Sequence, residues 1–342
     1  MTVDQPRERW VDDVKGFACF LVAAGHGLQG LVLAGILDAG SVWRWFNRAI
    51  YCCHVQLFFL CSGYLWQRFG RSSGWRGHGR AALQKAWVLG VPYFAFTALQ
   101  WGLKTAFAPW VNHSAGDLWR NLFVKPVAPY WYLAALAILF ALLPRAGEKR
   151  VWAWMFGAAA ALKAVASAVD SGGWCFAARA VAENAFWFTG GMGLSFGGAD
   201  WLRGNVAKWM GAVCGALFFG GSVAALRWGG FENAWWKWGL GMAACAAVLA
   251  WASNRGEQRA VDFWNWTGRN ALPIFLMHTF CVASVRMGLH AAGLETLWVH
   301  VPAMLAASLV GPVALLHALE CVRLDGVLDP RRWKRRKDIC AK

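Results

Sequence analysis

Charge is what this chain has least of: only 15% of its 342 residues are Asp, Glu, Lys or Arg. A soluble domain of this length does not combine so few charges with 58% hydrophobic residues and a mean hydropathy of +0.37. Metal-site signatures are missing as well. The ten cysteines form no CxxC pair and no Cys/His spacing of a metal centre, so they read as small buried hydrophobes, and the adjacent Cys52-Cys53 is no disulfide framework. No serine or cysteine sits in a nucleophile elbow, which argues against a covalent hydrolase. No internal repeat, linker or low-complexity stretch divides the chain, so residues 1–342 read as a single membrane domain. Acidic residues are few, 18 against 34 basic ones, for a net charge of +16. That excess is not spread as a nucleic-acid footprint; it gathers in short segments between apolar runs and in a basic tail at about 325–342.

What the chain has in abundance is long apolar runs. Each is long enough to cross the hydrocarbon core as a helix and too long for a barrel strand. The expected fold is therefore an all-α integral membrane protein, since a membrane helix satisfies its own backbone polar groups. Spans are expected at about 14–37, 44–66, 81–103, 128–145, 150–169, 174–196, 206–227, 234–252, 270–290 and 299–322. Ten spans put both termini on one side. The basic segments Arg68 to Lys85, Pro144 to Arg150, Arg203 to Lys208 and Arg255 to Arg269 fall on that side with the tail, which makes it cytoplasmic. The longest opposite loop, Lys104 to Val127, has room for a short interfacial helix near Asp117 to Phe123. The 25 tryptophans suit membrane-water interfaces. The first run is followed by no small-residue cleavage site and reads as a retained helix.

Ionisable groups inside these runs are the candidate functional residues, because burying them in a bilayer is costly. His26, between Gly25 and Gly27, lies roughly 15 Å in from Gly16, at 1.5 Å rise per residue. His54 lies about 20 Å from Gln67, and His278 about 12 Å from Asn270. Arg179 and Glu183 come out at a similar level, so five side chains from four spans share one layer. Bland readings stand beside these: His54 and His278 as packed residues bonded to carbonyls, Arg179 and Glu183 as partners at i,i+4, Lys15 snorkelling beside Asp12. Lys15 shares a helical face with His26, roughly 16 Å away along the axis. Neutral imidazole is the common general base near pH 7. A base acting on a hydroxyl, with cations at the cytoplasmic mouth for an anionic donor, is the simplest scheme.

Five segments resemble one known family. Trp10-Val11-Asp12-x-x-Lys15-Gly16 with Gly25-His26 is similar to the opening of the membrane acyltransferase-3 family. His54-Val55-Gln56-Leu57-Phe58-Phe59-Leu60-Cys61-Ser62-Gly63-Tyr64 resembles its second-span motif, with Gln56 in place of a proline. Tyr130-Trp131-Tyr132-Leu133, Arg179 through Phe186-Trp187-Phe188 to Gly191, and Gly268-Arg269-Asn270 through Ile274 to His278 resemble later segments. In the third span Lys85 precedes Pro92, but Val88 stands where the family often has a second arginine. The Asp12-x-x-Lys15-Gly16 variant most resembles the sugar O-acetylase branch, such as fucose 4-O-acetylase.

That resemblance implies about ten spans, an acyl-CoA co-substrate with no bound cofactor or metal, and a sugar-hydroxyl acceptor on a surface or lipid-linked glycan, in a bacterial inner membrane. Acetyl-CoA is the expected donor. His26 is then the expected base, with His54 or Glu183 orienting or polarising beside it. Lys15, Asp12, Arg68, Arg71, Arg80, Lys85, Trp131, Arg179 and His278 are the expected substrate- and donor-binding residues. Membrane lipids are expected partners, and nucleic acid is not. The rival class is a multi-span transporter of a sugar, an acyl-lipid or a proton-coupled solute, which also uses intramembrane His, Glu and Arg. The absence of a paired repeat of broken helices speaks against it. A non-catalytic partner in an envelope assembly is a third class.

Overall fold

A computed structural model describes residues 7–38, 40–70, 74–110, 114–169, 173–197, 202–256 and 262–333. Arg71 and the tail beyond Trp333 lie outside the described residues. Among the described residues every regular element is helical. The α-helices are α1 Arg9–Leu33, α2 Ser41–Tyr51, α3 His54–Phe69, α4 Gly74–Ala106, α5 Trp131–Leu142 and α6 Lys149–Ala168. They continue as α7 Phe176–Gly197, α8 Asn205–Trp228, α9 Ala234–Ser253, α10 Phe263–Arg269, α11 Ala271–Ala291 and α12 Leu297–Cys321. Taking α2 and α3 together as Val42–Phe69, six helices are long and apolar enough to cross a membrane: α1, α2–α3, α6, α8, α11 and α12. This is a multi-pass membrane protein.

Two of these helices identify the lipid-facing side. Only 6% of the apolar stretch of α6 and 11% of that of α8 is buried, against 72% for α2–α3. Apolar helices so little covered by protein need hydrocarbon around them. At the centre stands α1, which touches α2, α3, α9, α10, α11 and α12.

The structure departs from the expected spans in three places. The run expected at about 44–66 breaks at Cys52 and Cys53, whose amides bond back to the carbonyls of Ala49 and Ile50 at 3.1 Å each. In an unbroken helix the Ile50 carbonyl would accept the amide of residue 54; here it accepts the His54 ring through Nδ1 at 2.8 Å. The fourth span, expected at about 128–145, shrinks to the 12 residues of α5, roughly 18 Å long. Its start is drawn inward, because Tyr130 is fully buried and donates its hydroxyl to the Leu276 carbonyl in α11 at 3.0 Å. The third departure is α10, a helix within the segment read as a basic loop. Asp262 caps it, accepting the Asn265 amide at 3.0 Å. The short helix expected near Asp117 to Phe123 is present as a π-helical turn, Arg120–Val124, with Asp117 Oδ1 accepting the Arg120 amide at 2.7 Å.

Glycines bring these helices together. A Cβ at Gly16 in α1 would collide with the Trp264 carbonyl in α10, and one at Gly268 in α10 would collide with the Asp12 carbonyl in α1. The same reciprocity joins α3 to α7: a Cβ at Gly63 meets the Phe188 carbonyl, and one at Gly191 meets the Leu60 carbonyl. Backbone-to-backbone approach of this kind is the usual use of small residues where lipid removes the hydrophobic drive for association. Beside the first pair, Asp13 is fully buried and forms ion pairs with Arg255 Nε at 3.2 Å and Arg9 Nε at 3.8 Å. Asp262 binds both guanidinium groups, that of Arg9 at 2.9 Å. Burial raises the Asp262 carboxyl, but the Asn265 amide and the two arginines outweigh it and hold it below the ordinary carboxylate value.

Candidate active site

The break between α2 and α3 places a functional side chain as well as a turn. It sets His54 at the first position of α3, facing Tyr51, the last residue of α2, with ring centroids 4.8 Å apart. Tyr51 lies 6.5 Å from the His26 ring in α1, and its hydroxyl donates to Gln29 Oε1 at 3.1 Å. On the other side, His26 lies 5.3 Å from the His278 ring in α11. Three histidines from three helices thus meet in one layer, the convergence that their depths along the sequence imply.

Their hydrogen bonds separate their chemistry. A carbonyl can only accept, so His54 Nδ1 carries its proton toward Ile50, and His278 Nδ1 carries its proton toward Ile274 and Phe275, at 2.9 and 3.0 Å. Each neutral ring then presents Nε2 as a lone pair. His278 Nε2 is buried and accepts nothing from the described residues. His54 and His278 are nearly or fully buried, at 5% and 0% exposure. His26 differs: it is partly exposed, and its ring makes no hydrogen bond to a described residue. An open imidazole flanked by two tethered ones can take up a proton from an incoming hydroxyl.

The flanking glycines do less steric work than their sequence position suggests. A Cβ at Gly25 would stand 3.5 Å from Ile50, and one at Gly27 would stand 3.6 Å from Met304, both ordinary contacts.

Below the histidines, toward the N-terminal end of α1, runs an aromatic stretch. Tyr132 of α5 lies 4.9 Å from Phe59, 5.7 Å from Phe58 and 5.3 Å from Phe275, and its hydroxyl meets Ser62 Oγ at 3.2 Å. Trp131, its neighbour, is partly buried against the same core. Cations gather beyond it. Lys85 of α4 sits over the Phe140 ring at 5.0 Å, within electrostatic reach of Lys15, Arg145, Arg331 and the Asp329 carboxylate, which pairs with Arg331 at 2.7 Å. Arg145 lies over Trp66 at 4.0 Å and donates to its carbonyl at 3.0 Å. Arg331 arrives because the chain after α12 folds back toward α4 through the 3-10 turn Asp325–Val327.

Arg145 and Arg331 join this candidate cluster without having been singled out in the sequence. Both were counted only as loop charge, and nothing local distinguishes them from their basic neighbours. Other expected residues are placed differently. Arg68 pairs with Glu8 at 3.6 Å, and Glu8 also takes the hydroxyl of Tyr64 and the Trp10 indole at 2.7 Å. Asp12 is buried and pairs with Arg7 at 3.4 Å, while Arg80 is exposed. Arg179 and Glu183 bind each other at 2.9 Å with exposed side chains, and their contacts do not extend to the histidine layer. Among the described residues no cluster of His, Cys, Asp or Glu has the geometry of a metal site. The described cysteines, Cys52 and Cys53 included, are free thiols.

A family model described as an acyltransferase domain, that of the acyltransferase-3 family, matches residues 8–317. That span runs from the Glu8 tether to the last turns of α12 and includes all three histidines. No curated protein and no solved structure matches the chain.

Proposed function

The chain belongs to the acyltransferase-3 family and is a membrane acyltransferase, and on that footing we propose that it moves an acetyl group from acetyl-CoA to a sugar hydroxyl. His26 takes the hydroxyl proton as the oxygen attacks the thioester carbonyl. The carbon–sulfur bond breaks, and the imidazolium returns the proton to the departing CoA thiolate. His54 and His278, their Nδ1 atoms tethered, orient the acceptor and stabilise the imidazolium. The observation that carries this reading is the His26 ring itself, partly exposed and unbonded between two tethered histidines. Lys85, Lys15, Arg145 and Arg331 receive the phosphates of the donor, where guanidinium and ammonium groups pair well. The pantetheine arm then runs past Ser62 and Tyr132 toward the histidines.

The acceptor is a surface or lipid-linked glycan, and the membrane a bacterial inner membrane with the Lys15 end cytoplasmic. Ten crossings follow if α4, α5, α7 and α9 complete the set, with both termini on the cytoplasmic side and the basic segments obeying the positive-inside rule. The sugar O-acetylase branch is supported by the Asp12-x-x-Lys15-Gly16 variant.

The test is radiolabel transfer. Purified protein in proteoliposomes, given acetyl-CoA labelled in the acetyl group and a lipid-linked glycan, should label the glycan. His26→Ala should lower that rate by about 100- to 10,000-fold, the range of a lost general base. A correctly inserted His26→Ala protein that transfers label at the wild-type rate overturns the reading.

A further inference from the structure

A cavity of about 300 Å³ opens between α4 and α11, its α11 lining running from Thr279, the residue after His278, to Met287. Its lining brings Lys104 and Arg286 together with Gln100 and Ser284, beside Phe107 and Met287, and no carboxylate lines it among the described residues. We infer that it is a binding site for the phosphate of a membrane lipid.

Three observations converge on that ligand. The first is charge. Lys104 and Arg286 come from different helices and line one cavity. Cations that merely snorkel reach for water separately; these two share a cavity, where one anion can pair with both. Arg286 also engages another group of the chain.

The second observation is depth. Lys104 lies two residues before Ala106, the end of α4, and Arg286 five before Ala291, the end of α11. At 1.5 Å per residue they stand about 3 Å and 7.5 Å inside those ends, where lipid phosphates border the hydrocarbon. This is the end of the bundle opposite Lys15, because the other end of α11 meets α1 through Cys19 and the Ala271 carbonyl at 3.7 Å.

The third is composition. Gln100 and Ser284 offer neutral hydrogen bonds to phosphate oxygens, while the aromatic and thioether side chains accept the first methylenes of an acyl or prenyl chain. The bilayer supplies such a phosphate in two forms, an anionic phospholipid or a polyprenyl phosphate, and both present the same chemistry.

Full-length protein in detergent, offered phosphatidylglycerol, polyprenyl phosphate or phosphatidylcholine, should retain either anionic lipid in native mass spectrometry in preference to the zwitterionic one. Lys104→Gln should weaken that retention roughly fivefold and Lys104→Gln/Arg286→Gln roughly 25-fold, at the strength of one juxtamembrane cation each. Lys104→Arg should restore it, and Lys125→Gln, an exposed cation outside the cavity, should leave it unchanged. Preference for polyprenyl phosphate over phosphatidylglycerol, or the reverse, names the source; both support the site. Equal retention of phosphatidylcholine, or undiminished retention by a monodisperse Lys104→Gln/Arg286→Gln protein, overturns it. Label transfer by His26 is a separate readout, so the two ideas fail separately.

Discussion

The rings of His26 and His278 lie 5.3 Å apart, one from the first helix and one from the eleventh, and of the two His26 is partly exposed while His278 is fully buried. That arrangement divides their tasks. His278 carries a buried Nε2 without a partner among the described residues, next to the ring that the proposed mechanism protonates.

His278→Leu keeps an apolar side chain in a fully buried position and removes that lone pair. If His278 acts in the reaction layer, kcat should fall about 10- to 100-fold while KM for acetyl-CoA stays within about twofold. A raised KM with unchanged kcat would instead move His278 to the donor site. Steady-state kinetics on the inserted protein decide between them.

The histidine layer was legible in the sequence because depth along a helix is arithmetic. His26, His54 and His278 each lie a countable number of turns from a polar edge, and they do meet. The break at Cys52 and Cys53 was not legible, since the apolar run continues through it and the Ile50 carbonyl is satisfied within the turn, by the Cys53 amide and the His54 ring. Nor was α10, whose tryptophans, charges and single cap look like a loop until Gly16 and Gly268 dock it on α1. Arg331 could not be placed because its approach to Lys85 requires the chain to fold back after α12, a tertiary event with no local pattern.

The glycine contacts rank the motif glycines by consequence. Gly63→Ala and Gly268→Ala put a methyl into a backbone carbonyl, whereas Gly25→Ala and Gly27→Ala make ordinary contacts. The first two should destabilise by about 1–3 kcal/mol or more, the cost of overpacking. The second two should stay close to wild type. Thermal unfolding followed by size-exclusion in detergent measures the difference; equal losses for all four would show that the reciprocal contacts do not govern stability.

At the proposed donor end, Lys85 shares its surroundings with Lys15, Arg145, Arg331 and the Asp329 carboxylate. Lys85→Gln and Arg331→Gln should raise KM for acetyl-CoA by about fivefold to twentyfold each, as loss of one charge-assisted contact would, with kcat little changed. Dephospho-CoA thioester, lacking one phosphate, should lose affinity for wild type but discriminate less in the variant that has lost its partner. Unaltered KM in both variants would place the donor elsewhere.

Asp13 supplies the strictest test of the scaffold, because it is fully buried and its partners come from the N-terminal turn of α1 and the end of α9. Arg255→Met removes the nearer cation and leaves a buried carboxylate facing Arg9 alone. Breaking a buried pair from one side costs about 3 kcal/mol or more. Arg255→Met/Asp13→Asn removes both charges and should recover much of that loss, a sign of coupling that independent sites would not give. Asp262 adds a pH dependence to the same network. Its folded-state carboxyl is held below the ordinary value, so its stabilising contribution is present above the ordinary carboxylate range and is lost as pH falls through the depressed value. Wild-type protein should therefore lose stability on acidification more steeply than Asp262→Asn, as read from unfolding midpoints between pH 7 and about pH 3. Parallel profiles for the two proteins would mean that the carboxylate contributes nothing through its charge.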